Sequence, residues 1–307
     1  MKKRPIIIDT DPGIDDAIAI GAALFSEELD IKLISTVAGN VGIEQVTENA
    51  LKLLSFWNKR IPVARGSAGP LLVSPINASD VHGESGMDGY DFPPPDRSNL
   101  LAEHGVNAIY RILRESDVKI TLVPIGPLTN IALLLRMYPD AKEKIEEIVL
   151  MGGSMNRGNK GVMAEFNILC DPEAARIVFE SGLPIVMAGL DVGLKALVRP
   201  EDAAKLKGMG RTGEMVYALL HRYRSNGGGN TSFAMYDSCA IAYILQPQLF
   251  EVAETYVGVE TAGTLTAGTT VVDLKGLLKR PANAKVCTDI NGELFSEWLL
   301  AALRRCN

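Results

Sequence analysis

Pro5-Ile6-Ile7-Ile8-Asp9-Thr10-Asp11-Pro12-Gly13-Ile14-Asp15-Asp16 is the stretch on which the reading of this chain turns. An apolar run this continuous reads as a buried strand of a parallel sheet rather than as a half-exposed strand, which would alternate. Pro12-Gly13 breaks it. Asp15-Asp16 then open the amphipathic run from Ala17 to Phe25, which predicts a helix. In open α/β sheets ligands bind outside the carboxyl ends of the strands, and Asp9, Asp11, Asp15 and Asp16 crowd into that position here. Carboxylates so close repel one another unless a cation or shared protons hold them, so a hard divalent metal with oxygen ligands is the natural occupant. A plainer reading makes Asp15 and Asp16 only the acidic first turn of a helix. That explains one aspartate more easily than four.

Outward from this unit, strands alternate with helices almost to the end of the chain, which predicts a single open, mostly parallel twisted sheet with helices on both faces, a Rossmann-like core. The predicted strands are Pro5 to Thr10, Ile31 to Ala38, Ile61 to Ala64, Lys119 to Ile125, Ile148 to Met151 and Pro184 to Ala188. The predicted helices include Asp15 to Phe25, Ile43 to Phe56, Leu128 to Tyr138, Pro172 to Ser181, Thr212 to Tyr223 and Ser238 to Leu245. Ser67 to Arg97 is rich in Gly, Pro and Ser and reads as a long surface loop of the kind that carries function. Ser225 to Ser232, with Gly227-Gly228-Gly229, suits a lid. No linker divides the 307 residues, so 1–307 reads as one domain.

Composition narrows the partners. A formal charge of −6 and the lack of a long Lys/Arg cluster argue against a nucleic-acid groove, and no apolar stretch is long enough to span a membrane. The basic start, Met1-Lys2-Lys3-Arg4, is followed by too short an apolar run for a signal peptide. Cys170, Cys239, Cys287 and Cys306 show neither C-x-x-C nor zinc-type spacing and read as reduced packing thiols of a cytoplasmic protein. The substrate is therefore expected to be small.

Polar residues gather where the predicted strands end: Asn40 after the second, Gly126-Pro127-Leu128-Thr129-Asn130 after the strand ending at Ile125, and Asn159, Glu165 and Asn167 beyond Met151. Amides and a carboxylate can bind hydroxyls as donors and as acceptors, which suits a sugar. Turn chemistry alone would also favour the asparagines, and Asp171, before Pro172, reads as a helix cap. Asp237, ahead of an apolar helical run, taken alone also reads as an N-cap.

The motifs Asp9-Thr10-Asp11-Pro12-Gly13-Ile14-Asp15-Asp16, Thr36-Val37-Ala38-Gly39-Asn40, Val81-His82-Gly83-Glu84, Gly126-Pro127-Leu128-Thr129-Asn130, Ala164-Glu165-Phe166-Asn167 and Asp237, in this order, resemble the inosine/uridine-preferring nucleoside hydrolases, and within them the bacterial ribonucleoside hydrolases of broad base preference. The resemblance implies hydrolysis of ribonucleosides to base and ribose by a homo-oligomer, a dimer or tetramer. It implies a calcium ion held by Asp11, Asp16, Asp237 and the backbone carbonyl of Ile125, with Asp11 deprotonating the attacking water. Asp15, Asn40, Asn159, Glu165 and Asn167 would grip the ribose, with Met151 and Phe166 completing the substrate site. Cleaving an N-glycosidic bond builds positive charge on the sugar, so carboxylates there stabilise the transition state.

One position departs from the family pattern. The residue before the last metal-binding aspartate is a histidine taken to protonate the leaving base, and this chain has Tyr236, a weaker acid near neutral pH. His82 is the first candidate to contact the base in its place and His221 the second; His104 reads as structural. Two other readings remain open at this stage. A haloacid-dehalogenase-type phosphatase would use Asp9 as nucleophile with magnesium, and a nucleoside-binding protein without turnover would explain Tyr236.

Overall fold

The computed structural model describes residues 3–227 and 232–306. β1 (Arg4–Thr10) is the strand that the isoleucines predict, and its side-chain parity explains their continuity. Ile6 and Ile8 pack into one core and Ile7 into a second, all fully buried. A strand covered on both faces has no solvent side, so the alternation of a half-exposed strand disappears.

The chain continues through α1 (Ile14–Leu24), β2 (Leu29–Thr36), α2 (Ile43–Phe56), β3 (Val63–Arg65), α3 (Ser79–His82), α4 (Gly105–Glu115), β4 (Ile120–Pro124), α5 (Thr129–Met137), β5 (Ile145–Met151), α6 (Phe166–Cys170), α7 (Pro172–Phe179) and β6 (Ile185–Ala188). It ends with α8 (Leu190–Gly193), β7 (Leu197–Val198), α9 (Pro200–Leu206), α10 (Gly210–Gly227), β8 (Phe233–Ala234), α11 (Ser238–Leu245), β9 (Phe250–Thr255), β10 (Val257–Val259), β11 (Thr270–Val272), β12 (Ala284–Ile290) and α12 (Gly292–Arg304). The main sheet has eight strands in the order β3-β2-β1-β4-β5-β6-β12-β9, parallel except for β9, which runs antiparallel to β12. The order reverses direction between β1 and β4. The connections leaving these two strands part company there, which opens the crevice at the switch point.

The structure departs from the expected alternation in its last third. After α11 the chain adds the antiparallel edge strand β9 and the small β10–β11 ribbon before returning to the sheet as β12. Helices α4 and α12 also lie outside the predicted set. Of the expected lid, Ser225 to Gly227 belong to the end of α10, and 228–231 lie outside the described residues. The four cysteines are buried free thiols, and among the described residues no helix is long and apolar enough to cross a membrane.

Candidate active site

The turn after β1 builds the floor of the site. Asp11 is 1% exposed, and its Oδ2 accepts the backbone N–H of Asn40 at 2.7 Å. Two glycines make room for this carboxylate. A Cβ on Gly126 would stand 2.5 Å from Asp11 Oδ1, and one on Gly39 would overlap Oδ2. Oδ1 is buried without a hydrogen-bond partner. Asp16 accepts from Thr10 Oγ1 at 2.5 Å and from the N–H of Gly13 at 2.9 Å, so it caps α1 while facing the other acids. Asp237 stands at the N-cap position of α11 but accepts no capping hydrogen bond. Carboxylate oxygens of Asp15, Asp16 and Asp237 all lie within 4.8 Å of one another.

Burial dominates the electrostatics of this floor. It pushes Asp15 and Asp16 up to about 6, Asp15 adding to the rise at Asp16, and it drives Asp11 and Asp237 well above the usual carboxylate range with help from their acidic neighbours. Four such groups resist ionising together. An unpartnered buried oxygen, a helix-terminal aspartate that does not cap and an all-oxygen donor set fit a hard divalent cation. Lys160 is the only lysine or arginine among the described residues lining the cavity, and it is paired with Asp80.

Above the floor is a cavity of about 220 Å³. Asp15 reaches its lining and Asp11 and Asp16 do not. Asn40, Ile125, Met151, Asn159, Glu165, Phe166 and Asn167 all line it. Several of these amides also hold the frame. Asn40 Nδ2 donates to the carbonyl of Asp11 and to Asp16 Oδ2, each at 3.1 Å. Asn167 Nδ2 donates to the carbonyls of Ile125 at 3.0 Å and Met151 at 3.1 Å. Asn159 Oδ1 accepts the N–H of Phe166 at 2.9 Å, closing its loop. Glu165 caps α6, accepting N–H groups of Asn167, Gly153 and Ile168, and burial pushes it up to about 7. Asp171 lies outside the cavity lining and caps α7, as expected.

Aromatic side chains also line the cavity. His82, on α3, is buried, and its Nδ1 accepts the N–H of Ile14 at 3.1 Å, which leaves the proton of the neutral ring on Nε2. Burial lowers its pKa to about 4, so the imidazole is neutral at physiological pH. Tyr236 lines the cavity, and burial, reinforced by Asp15, pushes its phenol up to about 12. His221 is placed elsewhere. It lies on the exposed face of α10, its ring parallel to that of Tyr217, while Tyr223 lines the cavity with its ring 5.7 Å from that of His82. Helical phase carried that signal, because Tyr223 follows the buried pair Leu219 and Leu220 by four and three residues. The sequence reading also passed over Lys160 and Ala78 in the lining. Exposed His104 caps α4 through Nδ1, a structural role as predicted.

A sequence profile of the inosine-uridine preferring nucleoside hydrolase family matches residues 6–297. The chain belongs to this family of N-glycosidases. It is 52% identical over 301 residues to the non-specific ribonucleoside hydrolase RihC of Escherichia coli (strain SMS-3-5 / SECEC), covering 98% of each chain. Among solved structures it superposes on an inosine-guanosine nucleoside hydrolase with a TM-score of 0.91 at 32% identity, covering 99% of this chain and 98% of that one. It superposes on a purine-preferring ribonucleoside hydrolase from Gardnerella vaginalis with a TM-score of 0.91 at 28% identity, covering 99% of both. The phosphatase alternative fails on the family match and on geometry. Asp9, its required nucleophile, is 1% exposed, accepts from Ser35 and Asn130, and lies outside the cavity lining.

Proposed function

We propose that this chain hydrolyses the N-glycosidic bond of purine and pyrimidine ribonucleosides alike, releasing the free base and ribose. The observation that carries the reading is a floor of four buried carboxylates under a cavity lined by both hydroxyl-binding groups and aromatic rings. The 52% identity to a relative named as a non-specific ribonucleoside hydrolase supports the broad base range.

In this reading Asp11, Asp16, Asp237 and the carbonyl of Ile125 hold a calcium ion, with Asp15 beside them; the carboxylate-rich donor set favours calcium. Bound there, the ion supplies a fixed position and a lowered pKa for a water molecule. Asp11, buried beside the other acids, accepts the proton of the attacking water. Asp15, Asn40, Asn159, Glu165 and Asn167 orient the ribose. As the C–N bond breaks, the negative charge of this wall stabilises the positive charge on the sugar. The departing base lies among Phe166, Tyr223, Tyr236 and His82, where the neutral Nε2–H of His82 and the phenols of Tyr223 and Tyr236 are donors. The buried free thiols fit a reducing, cytoplasmic setting, and the family resemblance supports a homo-oligomer.

Chromatography of products from a panel of ribonucleosides, deoxyribonucleosides and nucleotides tests this. Base and ribose should appear from inosine, adenosine, uridine and cytidine. Tight nucleoside binding without turnover would overturn it.

A further inference from the structure

Gly193 closes the four-residue helix α8, and its φ is outside the left-handed region, so its backbone conformation is open to any residue. In such a setting alanine is the better helix former. Space explains the glycine. A Cβ there would overlap Cδ1 of Tyr236 and stand 3.1 Å from Cε1 and 3.2 Å from Cγ. These atoms belong to the ring and its root, and they yield only by moving the whole side chain. Gly193 is buried, and Tyr236 lines the substrate cavity, so the ring is sandwiched between the α8 backbone and the space assigned to the substrate.

We propose that Gly193 is a positioning residue for substrate choice: by lacking a side chain it seats the Tyr236 ring against α8 and keeps the base end of the cavity wide enough for a purine. The inference rests on the proposed hydrolase reading and deepens it. The vacancy at 193 is what accommodates the phenol ring. A methyl at 193 meets the ring at its Cδ1 edge, so the ring must leave its seat against α8, and because Tyr236 lines the cavity that displacement reshapes the cavity. The larger bases lose room first.

The test is a double-variant cycle of Gly193→Ala and Tyr236→Ala, read by kinetics on inosine and uridine and by thermal unfolding. In the parent background, Gly193→Ala should raise KM for inosine about tenfold or more and for uridine about threefold or less, with kcat for uridine changed little. It should also lower Tm by at least about 3 °C, because the overlap strains the packing. In the Tyr236→Ala background, which removes the overlap, Gly193→Ala should shift neither the inosine/uridine ratio nor Tm downward. An unchanged base ratio in the parent, or the same losses with the ring removed, would overturn the proposal. If neither nucleoside is cleaved by the parent protein, the hydrolase reading fails and with it the substrate role, while the Tm cycle still decides whether Gly193 seats the ring.

Discussion

Asp171 and Asp237 stand at equivalent positions, each opening a helix, and do opposite things. Asp171 spends its carboxylate on three donors, the N–H groups of Ala174 and Leu71 and the hydroxyl of Thr129. Asp237 accepts nothing from its helix and turns to Asp15 and Asp16. Local sequence describes both as caps. Only the acids brought in from the β1 turn distinguish them. Asp11 is the residue most exposed to test. Asp11→Asn keeps the shape and the contact with Asn40 but removes the base, so kcat for every nucleoside should fall by about 10²- to 10⁴-fold, with Tm preserved. Full activity in this variant would remove Asp11 from the reaction. At Tyr236, Tyr236→His should raise kcat for inosine about tenfold, near 1.4 kcal/mol of barrier, and leave p-nitrophenyl riboside, whose leaving group needs no proton, almost unchanged. An equal response of the two substrates would make Tyr236 a packing residue alone. Unpaired polar groups are costly, so uridine should exceed 2′-deoxyuridine by about 100-fold or more in kcat/KM.

At the scale of elements, the site is a set of strand-end turns pinned to one another. Asn130, at the start of α5, donates to Asp9 on β1 and to the carbonyl of Thr36 on β2, and accepts from Ser67 beyond β3. Asp171 ties α7 to α5 and to the Leu71 segment in the same way. Removing that carboxylate strands three donors. Asp171→Ala should therefore destabilise the fold by about 2–3 kcal/mol, more than a lost surface cap costs, while KM for uridine stays within about twofold of the parent value. Denaturant unfolding and kinetics measure the two halves, and a stability unchanged by the substitution would refute the tie. Lys160 bridges the Asn159 loop to Asp80 on α3, with Nζ 2.9 and 3.1 Å from the two carboxylate oxygens. Both partners are partly exposed, so this pair contributes little to stability.

For the whole molecule, the acidic floor sets how stability responds to pH. In chelator, folding must hold Asp15 and Asp16 near 6 and Asp9 and Glu165 near 7, against values close to 4 in the unfolded chain. Between those limits the native state binds more protons than the unfolded one, so stability falls as pH rises from about 4.5 to 7. His82, held near 4 against 6.5 unfolded, opposes this trend, since its contribution is lost as pH falls below 6.5, but it is one group against several. Calcium binds the ionised carboxylates, so the Tm gained on adding it should be larger at pH 7.5 than at pH 5. A gain independent of pH, or none at all, would place the metal elsewhere or nowhere. Differential scanning fluorimetry with and without chelator reads it directly.

Periodicity and turn chemistry act over a few residues, and what depends on them was legible in the chain itself. The β1 isoleucines, the Pro12-Gly13 break and the acid-led α1 place the parallel sheet and its carboxylate-bearing turn; α2 and α11 run over the predicted residues. The antiparallel β9 was not legible, because an edge strand takes its direction from the partner it meets, here β12, and not from its own pattern. Which polar group faces the cavity was likewise decided by the tertiary structure. Asp9 and Asp11 lie on one short run, yet Asp9 is locked under Asn130 while Asp11 faces the cluster. His221 and Tyr223 are two residues apart on α10, and at 3.6 residues per turn their side chains leave the helix on nearly opposite sides, so one reaches the cavity and the other solvent. Gly193 carried no local signal at all, since its meaning is the ring of a residue 43 positions away that only folding brings against it.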